Sequence, residues 1–143
     1  MNKSRLREQL RHDEGVVPHA YQDSEGYWTI GVGRLIDERK GGLLSPKEIE
    51  YLLDNDIERV SIGLQKEWTW FNDLNDVRQE VLANMRFNLG LANLRKFKRM
   101  ISALERRDWV DASREMLDSK WATQVGNRAI RLSNAMRTGQ WDG

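Results

Sequence analysis

Cysteine is absent from the 143 residues, so disulfides, thiolate metal ligands and a cysteine nucleophile are excluded together. Histidine is scarce. His12 and His19 stand seven positions apart with Gly15 and Pro18 between them, so they do not share one helical face, and neither a zinc site nor any other metal or cofactor site is expected. No window approaches the roughly eighteen apolar residues of a membrane span. The opening residues Met1 to Arg5 are polar and lead into Leu6, Arg7, Glu8, Gln9 and Leu10, without the apolar core of a secretory signal. Neither an export signal nor a stable membrane association is expected.

What the chain does contain is charge and tryptophan. Charged residues make up 31%, hydrophobic residues 39%, and mean hydropathy is -0.72 with six Trp, which describes a well-solvated surface around a packed interior. The length suits one domain with one sizeable core, or two small lobes sharing it. Net charge is +1, yet residues 1–73 carry 10 basic against 14 acidic side chains and residues 74–143 carry 13 against 8. A basic half suits an anionic polymer. A solvated helix surface explains the bias equally well, so it decides nothing alone.

Leu6 and Leu10 recur at i,i+4 among Arg, Glu and Gln, which predicts a short helix over about 4–13 that ends before Gly15 and leaves Glu14 at its last turn. Tyr21, Tyr27, Trp28, Thr29, Ile30 and Val32 favour strand, and Asp23-Ser24-Glu25-Gly26 supplies turn chemistry, so a β-hairpin follows. Its second strand finishes in Gly31-Val32-Gly33, where small residues allow a bend or the close approach of another backbone. Asp37 to Gly42, charged and glycine-ended, reads as a loop or a frayed extra turn of sheet that closes the β region. Ser45-Pro46-Lys47-Glu48 is a clear helix start, with Ser as N-cap, Pro at the first helical position and Glu reaching back. Ile49, Leu52, Leu53, Ile57, Val60 and Leu64 keep helical spacing behind it, long enough to connect two lobes. Beyond Trp68 the pattern is helical throughout. Leu74, Val77, Val81, Met85 and Leu89 share a face up to Gly90, and Leu94, Phe97, Ile101 and Leu104 form the next stripe. Asp108 caps a short helix, and Val125, Ala129, Leu132 and Met136 mark a last one. The succession is α+β with the sheet confined to one end.

With no thiol, no histidine pair and no phosphate loop, the chemistry rests on carboxylates. Glu14 sits at a helix C-terminus, where unsatisfied carbonyls disfavour a negative charge and Val16 or Val17 can add apolar cover, so its proton should be held tightly. Asp23 stands in a polar turn with backbone amides to stabilise its anion. Two carboxyl groups pushed apart in proton affinity across a groove are the usual equipment for breaking a glycosidic bond. On pattern alone, a helix-end Glu and a turn Asp with no joint task remain the simpler description.

Here a family resemblance enters. Asp13-Glu14-Gly15 followed by the run from Tyr21 to Gly33 resembles the catalytic stretch of the T-even-type phage lysozymes, a family marked by a glutamate, an aspartate nine positions on and a threonine six further. Glu14, Asp23 and Thr29 match that spacing. The likeness continues through Asn84 to Gly90, Trp109, Ser119-Lys120-Trp121, Gln124, Asn127-Arg128-Ala129 and Arg137 to Asp142. It implies one lysozyme-like domain over residues 1–143, with a β-rich lobe at about 15–44, a linking helix at about 46–66, and a helical lobe at about 70–143 on which helix 4–13 packs. The active-site cleft would lie between the lobes. It further implies inverting hydrolysis of the β-1,4 bond between N-acetylmuramic acid and N-acetylglucosamine, and hence a carboxylate gap of roughly 6.5–9.5 Å. In that scheme Glu14 is the proton donor, while Asp23 and Thr29 position and activate water.

The resemblance also makes Arg128 a partner of Glu14 and places Leu35, Phe87, Asn88 and Gln124 along the glycan groove, with a core role still open for Leu35 and Phe87. Such an arginine favours ionised Glu14 and opposes burial; sequence does not say which prevails. A monomer acting on a peptidoglycan strand is implied, held in the host bacterial cytoplasm until release to the wall. The region from Arg34 to Ser45 is shorter than in longer relatives. Arg34 stands where those can have histidine, with Asp56 as its expected ion-pair partner, a structural contact of at most about 1 kcal/mol if exposed. Two rivals remain: a lysozyme-like domain without catalysis that binds peptidoglycan or a protein, and a nucleic-acid module suggested by Arg95-Lys96 and Lys98-Arg99. The first should have lost Glu14 or Asp23, and near-zero net charge opposes the second.

Overall fold

The computed structural model describes residues 1–36 and 42–142. Two compact units divide the chain, Met1–Leu53 and Asp54–Gly143. Most of the predicted loop from Asp37 to Gly42 lies outside the described residues. Among those described, no helix is long and apolar enough to cross a membrane.

In the first unit, helix α1 covers Lys3–Glu14, one residue longer than predicted at each end. Asn2 starts it, its side chain accepting the Arg5 N–H at 3.0 Å, and Gly15 stops it with φ +79° and its N–H on Arg11 O. None of its residues is buried. The sheet is antiparallel in the order β1 (Val17–Gln22), β2 (Trp28–Gly31), β3 (Arg34–Leu35). Tyr21 faces Thr29 and Val17 faces Gly31, so the pairing slips over Pro18 to Ala20. Proline there has no N–H for the ladder, which accounts for the bulge. The third strand, two residues long, was not anticipated. Thr29 pairs with Leu35 and Ile30 with Arg34.

Helix α2, Pro46–Glu67, crosses from the first unit into the second. Its start is the expected capping box. Ser45 Oγ accepts the Glu48 N–H at 3.2 Å, and Glu48 Oε1 accepts the Ser45 N–H at 3.0 Å. Apolar spacing along α2 overstates its burial: Val60 and Leu64 are buried, whereas Ile49, Leu52, Leu53 and Ile57 are exposed.

The second unit holds the hydrophobic core. After a 3-10 turn at Thr69–Asp73 come α3 (Asp76–Leu89), α4 (Leu91–Leu94), α5 (Lys98–Glu105), α6 (Trp109–Leu117), α7 (Lys120–Val125) and α8 (Asn127–Thr138). Side-chain oxygens of Asn75, Asp108 and Ser119 cap α3, α6 and α7. Val125 belongs to α7, because Gly126 at φ +59° separates it from the helix carrying Ala129, Leu132 and Met136. Leu82, Met85, Leu94, Met100, Leu104, Met116, Leu132 and Met136 are fully buried, with Trp121 beside them. Most Trp and Met side chains therefore serve packing, as their spacing predicts, although Trp28 and Trp141 are exposed.

Candidate active site

Thr29 is the one buried side chain of the first unit among the described residues, at 3% exposure. A buried hydroxyl needs a partner, and Thr29 Oγ1 donates to Tyr27 O at 3.0 Å. The same carbonyl accepts the Asp23 N–H at 2.9 Å. Asp23 returns the contact with its side chain: Oδ1 accepts the N–H groups of Tyr27 at 2.8 Å and Glu25 at 2.9 Å. The Gly26 N–H closes the turn onto Asp23 O at 3.0 Å. Asp23 and Thr29 thus share Tyr27 as a common anchor, and the amides expected to meet the Asp23 anion are present.

Glu14 is the last residue of α1, as expected, and is exposed. Val16 supplies no apolar cover, being 63% exposed, while Val17 is half-buried. The Glu14 carboxylate instead rests on Gly33, in the turn between β2 and β3. A Cβ built on Gly33 would stand 2.8 Å from Glu14 Oε2 and 3.0 Å from Cδ. The close approach predicted for Gly31-Val32-Gly33 is real, but what approaches is a side chain, not a backbone. Glycine is favoured here chiefly by its φ of +68°, since the exposed end of Glu14 could swing aside from a Cβ.

Leu35 pairs with Thr29 and lines a cleft of about 590 Å³ together with Ile30, Val32, Arg34, Leu44 and Leu52. Arg34 takes a different partner from the one expected. Its Nη2 lies 2.7 Å from Glu48 Oε2, and its Nη1 donates to Leu43 O at 3.2 Å, whereas Asp56 stands 3.5 Å from Arg59. The reason is axial: eight residues of helix separate Glu48 from Asp56 by about 12 Å, and β3 is tied to the helix start. The Arg34 guanidinium holds the Glu48 carboxyl down at about 2, the Ser45 contacts adding to the shift, and Glu48 in turn raises Arg34.

In the second unit, Arg128 donates from Nε and Nη2 to Asn84 Oδ1 at 3.0 and 2.8 Å. Asn88 Oδ1 accepts the Trp121 indole N–H at 2.8 Å, and Phe87 is 48% exposed. Gln124 and Trp121 line a cleft of about 650 Å³ with Phe97, Lys98 and Lys120. Tyr27, Glu48 and Asn84 were not foreseen as members of these networks. Tyr27 acts through its main chain, and a capping-box glutamate or a mid-helix asparagine carries no sequence mark of a second partner.

Comparison with known proteins sets the class. The phage lysozyme family model matches residues 11–137, which defines a lysozyme-like peptidoglycan hydrolase, a glycosidase of α+β fold. Among relatives, the chain is 27% and 30% identical to "Probable T4-type lysozyme 1" and "Probable T4-type lysozyme 2" of Dictyostelium discoideum, over 95% of this chain and of each relative. It is 32% identical to the "Pre-baseplate central spike protein Gp5" of Enterobacteria phage T4 over 94% of this chain, a stretch that spans 28% of the spike protein. The chain belongs to the phage lysozyme family.

Proposed function

We propose that the protein cleaves the β-1,4 bond between N-acetylmuramic acid and N-acetylglucosamine with inversion, using Glu14 as proton donor and Asp23 with Thr29 to activate water. The observation that carries this reading is the seating of Glu14 on the turn that follows the Thr29 strand, with Asp23 and Thr29 held on Tyr27. Thr29 has committed its proton to Tyr27 O, so its oxygen meets an incoming water as an acceptor and orients the water lone pair. Asp23 has Oδ1 fixed by two amides, which leaves Oδ2 to take the water proton. Glu14 delivers its proton to the departing glycosidic oxygen. Leu35, Phe87, Asn88, Gln124 and Arg128 contact the glycan, and the protein acts as a monomer once released from the host cytoplasm.

The test is clearing of outer-membrane-permeabilised bacteria by the parent and by Glu14→Gln. The variant should lose about 10²–10⁴-fold in rate. Equal clearing by the two removes Glu14 from the chemistry, and a retained anomer at the new reducing end, read by NMR, rules out inversion.

A further inference from the structure

Strand β3 has two residues, and its ladder consists of the Thr29–Leu35 and Ile30–Arg34 pairs, extended by the Ile36 N–H on Trp28 O at 3.0 Å. So short an edge strand has little hold of its own. Yet the residue before it, Gly33, is the surface on which the Glu14 carboxylate lies. Arg34 supplies the missing hold. One guanidinium nitrogen binds Leu43 O at 3.2 Å and another binds Glu48 Oε2 at 2.7 Å. Glu48 is itself locked by the capping box at the head of a 22-residue helix. The Gly33 turn is therefore fastened, through its chain neighbour Arg34, to the capped first turn of α2.

We propose that Arg34 is a positioning residue for the hydrolysis: by clasping Glu48 it fixes the Gly33 turn under Glu14 and so sets where the acid stands. The inference rests on the reading of Glu14 as the proton donor. Arg34 and Glu48 side chains are 44% and 39% exposed, and a pair this open adds little to stability, so a purely structural role would leave variants nearly silent in catalysis. Positioning gives the opposite expectation, because a displacement of about 1 Å at a reacting group can cost about 100-fold. The clasp also has directional demands. Arg34 uses two nitrogens on two acceptors, which a lysine ammonium reproduces only in part.

The experiment compares Arg34→Gln, Arg34→Lys and Glu48→Gln with the parent, and with Arg59→Gln as an exposed ion-pair control on the same helix. At a temperature where all are folded, kcat and KM on peptidoglycan and the amide resonance of Gly33 are read, and a separate thermal melt of each protein gives its melting temperature. Arg34→Gln and Glu48→Gln should lower kcat about tenfold or more, with KM within about twofold. Arg34→Lys should recover part of the loss, and the Gly33 resonance should move in Glu48→Gln, which is remote from Gly33 in sequence, but not in Arg59→Gln. Glu48→Gln keeps the capping geometry, so it remains informative if Arg34→Gln folds poorly. A kcat unchanged in both Gln variants, or an unmoved Gly33 resonance in Glu48→Gln, overturns the proposal. The Glu14→Gln control separates the two failures. If that variant is dead while the clasp variants keep full kcat, positioning alone is wrong; if Glu14→Gln clears like the parent, the reading of the acid is wrong.

Discussion

The carboxylate of Glu14 occupies the space that a side chain on Gly33 would take, a Cβ built there standing 2.8 Å from Oε2. Gly33→Ala therefore forces the flexible end of Glu14 aside and places an L-residue at positive φ. Unfolding free energy should fall by about 1–2 kcal/mol, and clearing should fall about tenfold or more because the acid is displaced. Urea denaturation and the turbidity rate measure the two effects. A parent-like clearing rate would show that this contact does not set the position of Glu14.

Asp23 has two separable duties, holding the turn and carrying a negative charge. Asp23→Asn keeps an oxygen for the Glu25 and Tyr27 amides, so stability should stay within about 1 kcal/mol of the parent. Clearing should nevertheless drop about 10²–10⁴-fold, since the amide cannot accept the water proton. Asp23→Ala removes the acceptor as well and should cost about 1–3 kcal/mol. If Asp23→Asn clears normally, the residue is a turn residue and nothing more.

The clasp has a defined acid limit. Glu48 sits at about 2 in the folded protein against an ordinary 4.5, chiefly because of the Arg34 hydrogen bond. Its folded-state value is depressed, so its stabilisation is fully present above about pH 4.5 and is lost as pH falls through about 2. Because the Arg34–Glu48 pair is open to solvent, Glu48→Gln should be only slightly less stable than the parent at pH 7, with that small gap closing below pH 4.5 and vanishing near pH 2. Thermal melts of both proteins from pH 7 to 2 give the difference directly. A gap independent of pH would mean that the charge on Glu48 is irrelevant to stability.

Arg78 ties α3 to α6 and α8 in the second unit. Its guanidinium lies 4.0 Å from the centre of the Trp109 ring, while Nε and Nη2 donate to Met136 O and Arg137 O at 2.8 and 3.1 Å. It thereby satisfies carbonyls of the last turn of α8 and meets the negative end of that helix. Partial burial lowers its pKa from the ordinary arginine value, yet it stays charged. Arg78→Met keeps the apolar stem and removes the donors and the charge, so unfolding free energy should fall by about 2–3 kcal/mol. Chemical denaturation of the variant checks this. A loss below about 0.5 kcal/mol would mean that water replaces the guanidinium without cost.

Local signals in the chain were read well where one residue type has one physical job. The Ser45 to Glu48 capping box, the Asp23 turn, the Asp108 cap and the helix stops at Gly15 and Gly90 all follow from hydrogen bonds between near neighbours. Apolar periodicity was a poorer guide to burial. It placed Ile49, Leu52, Leu53 and Ile57 on one face of α2, but all four are exposed, whereas a threonine is the buried side chain of the first unit among the described residues.

Sequence alone determined α1, the start of α2 and the hairpin, the absence of thiol chemistry, and the spacing of Glu14, Asp23 and Thr29, since these depend on residue identity and short separations, whereas it ran α7 and α8 together at Val125. Only the tertiary structure decided which partners the charged side chains take. Arg34 chooses Glu48 over Asp56, Arg128 reaches Asn84 across 44 positions, and Glu14 settles on Gly33. Such choices turn on distances of a few ångströms between segments remote in the chain, where charge complementarity permits several pairings and only the packed backbone selects one.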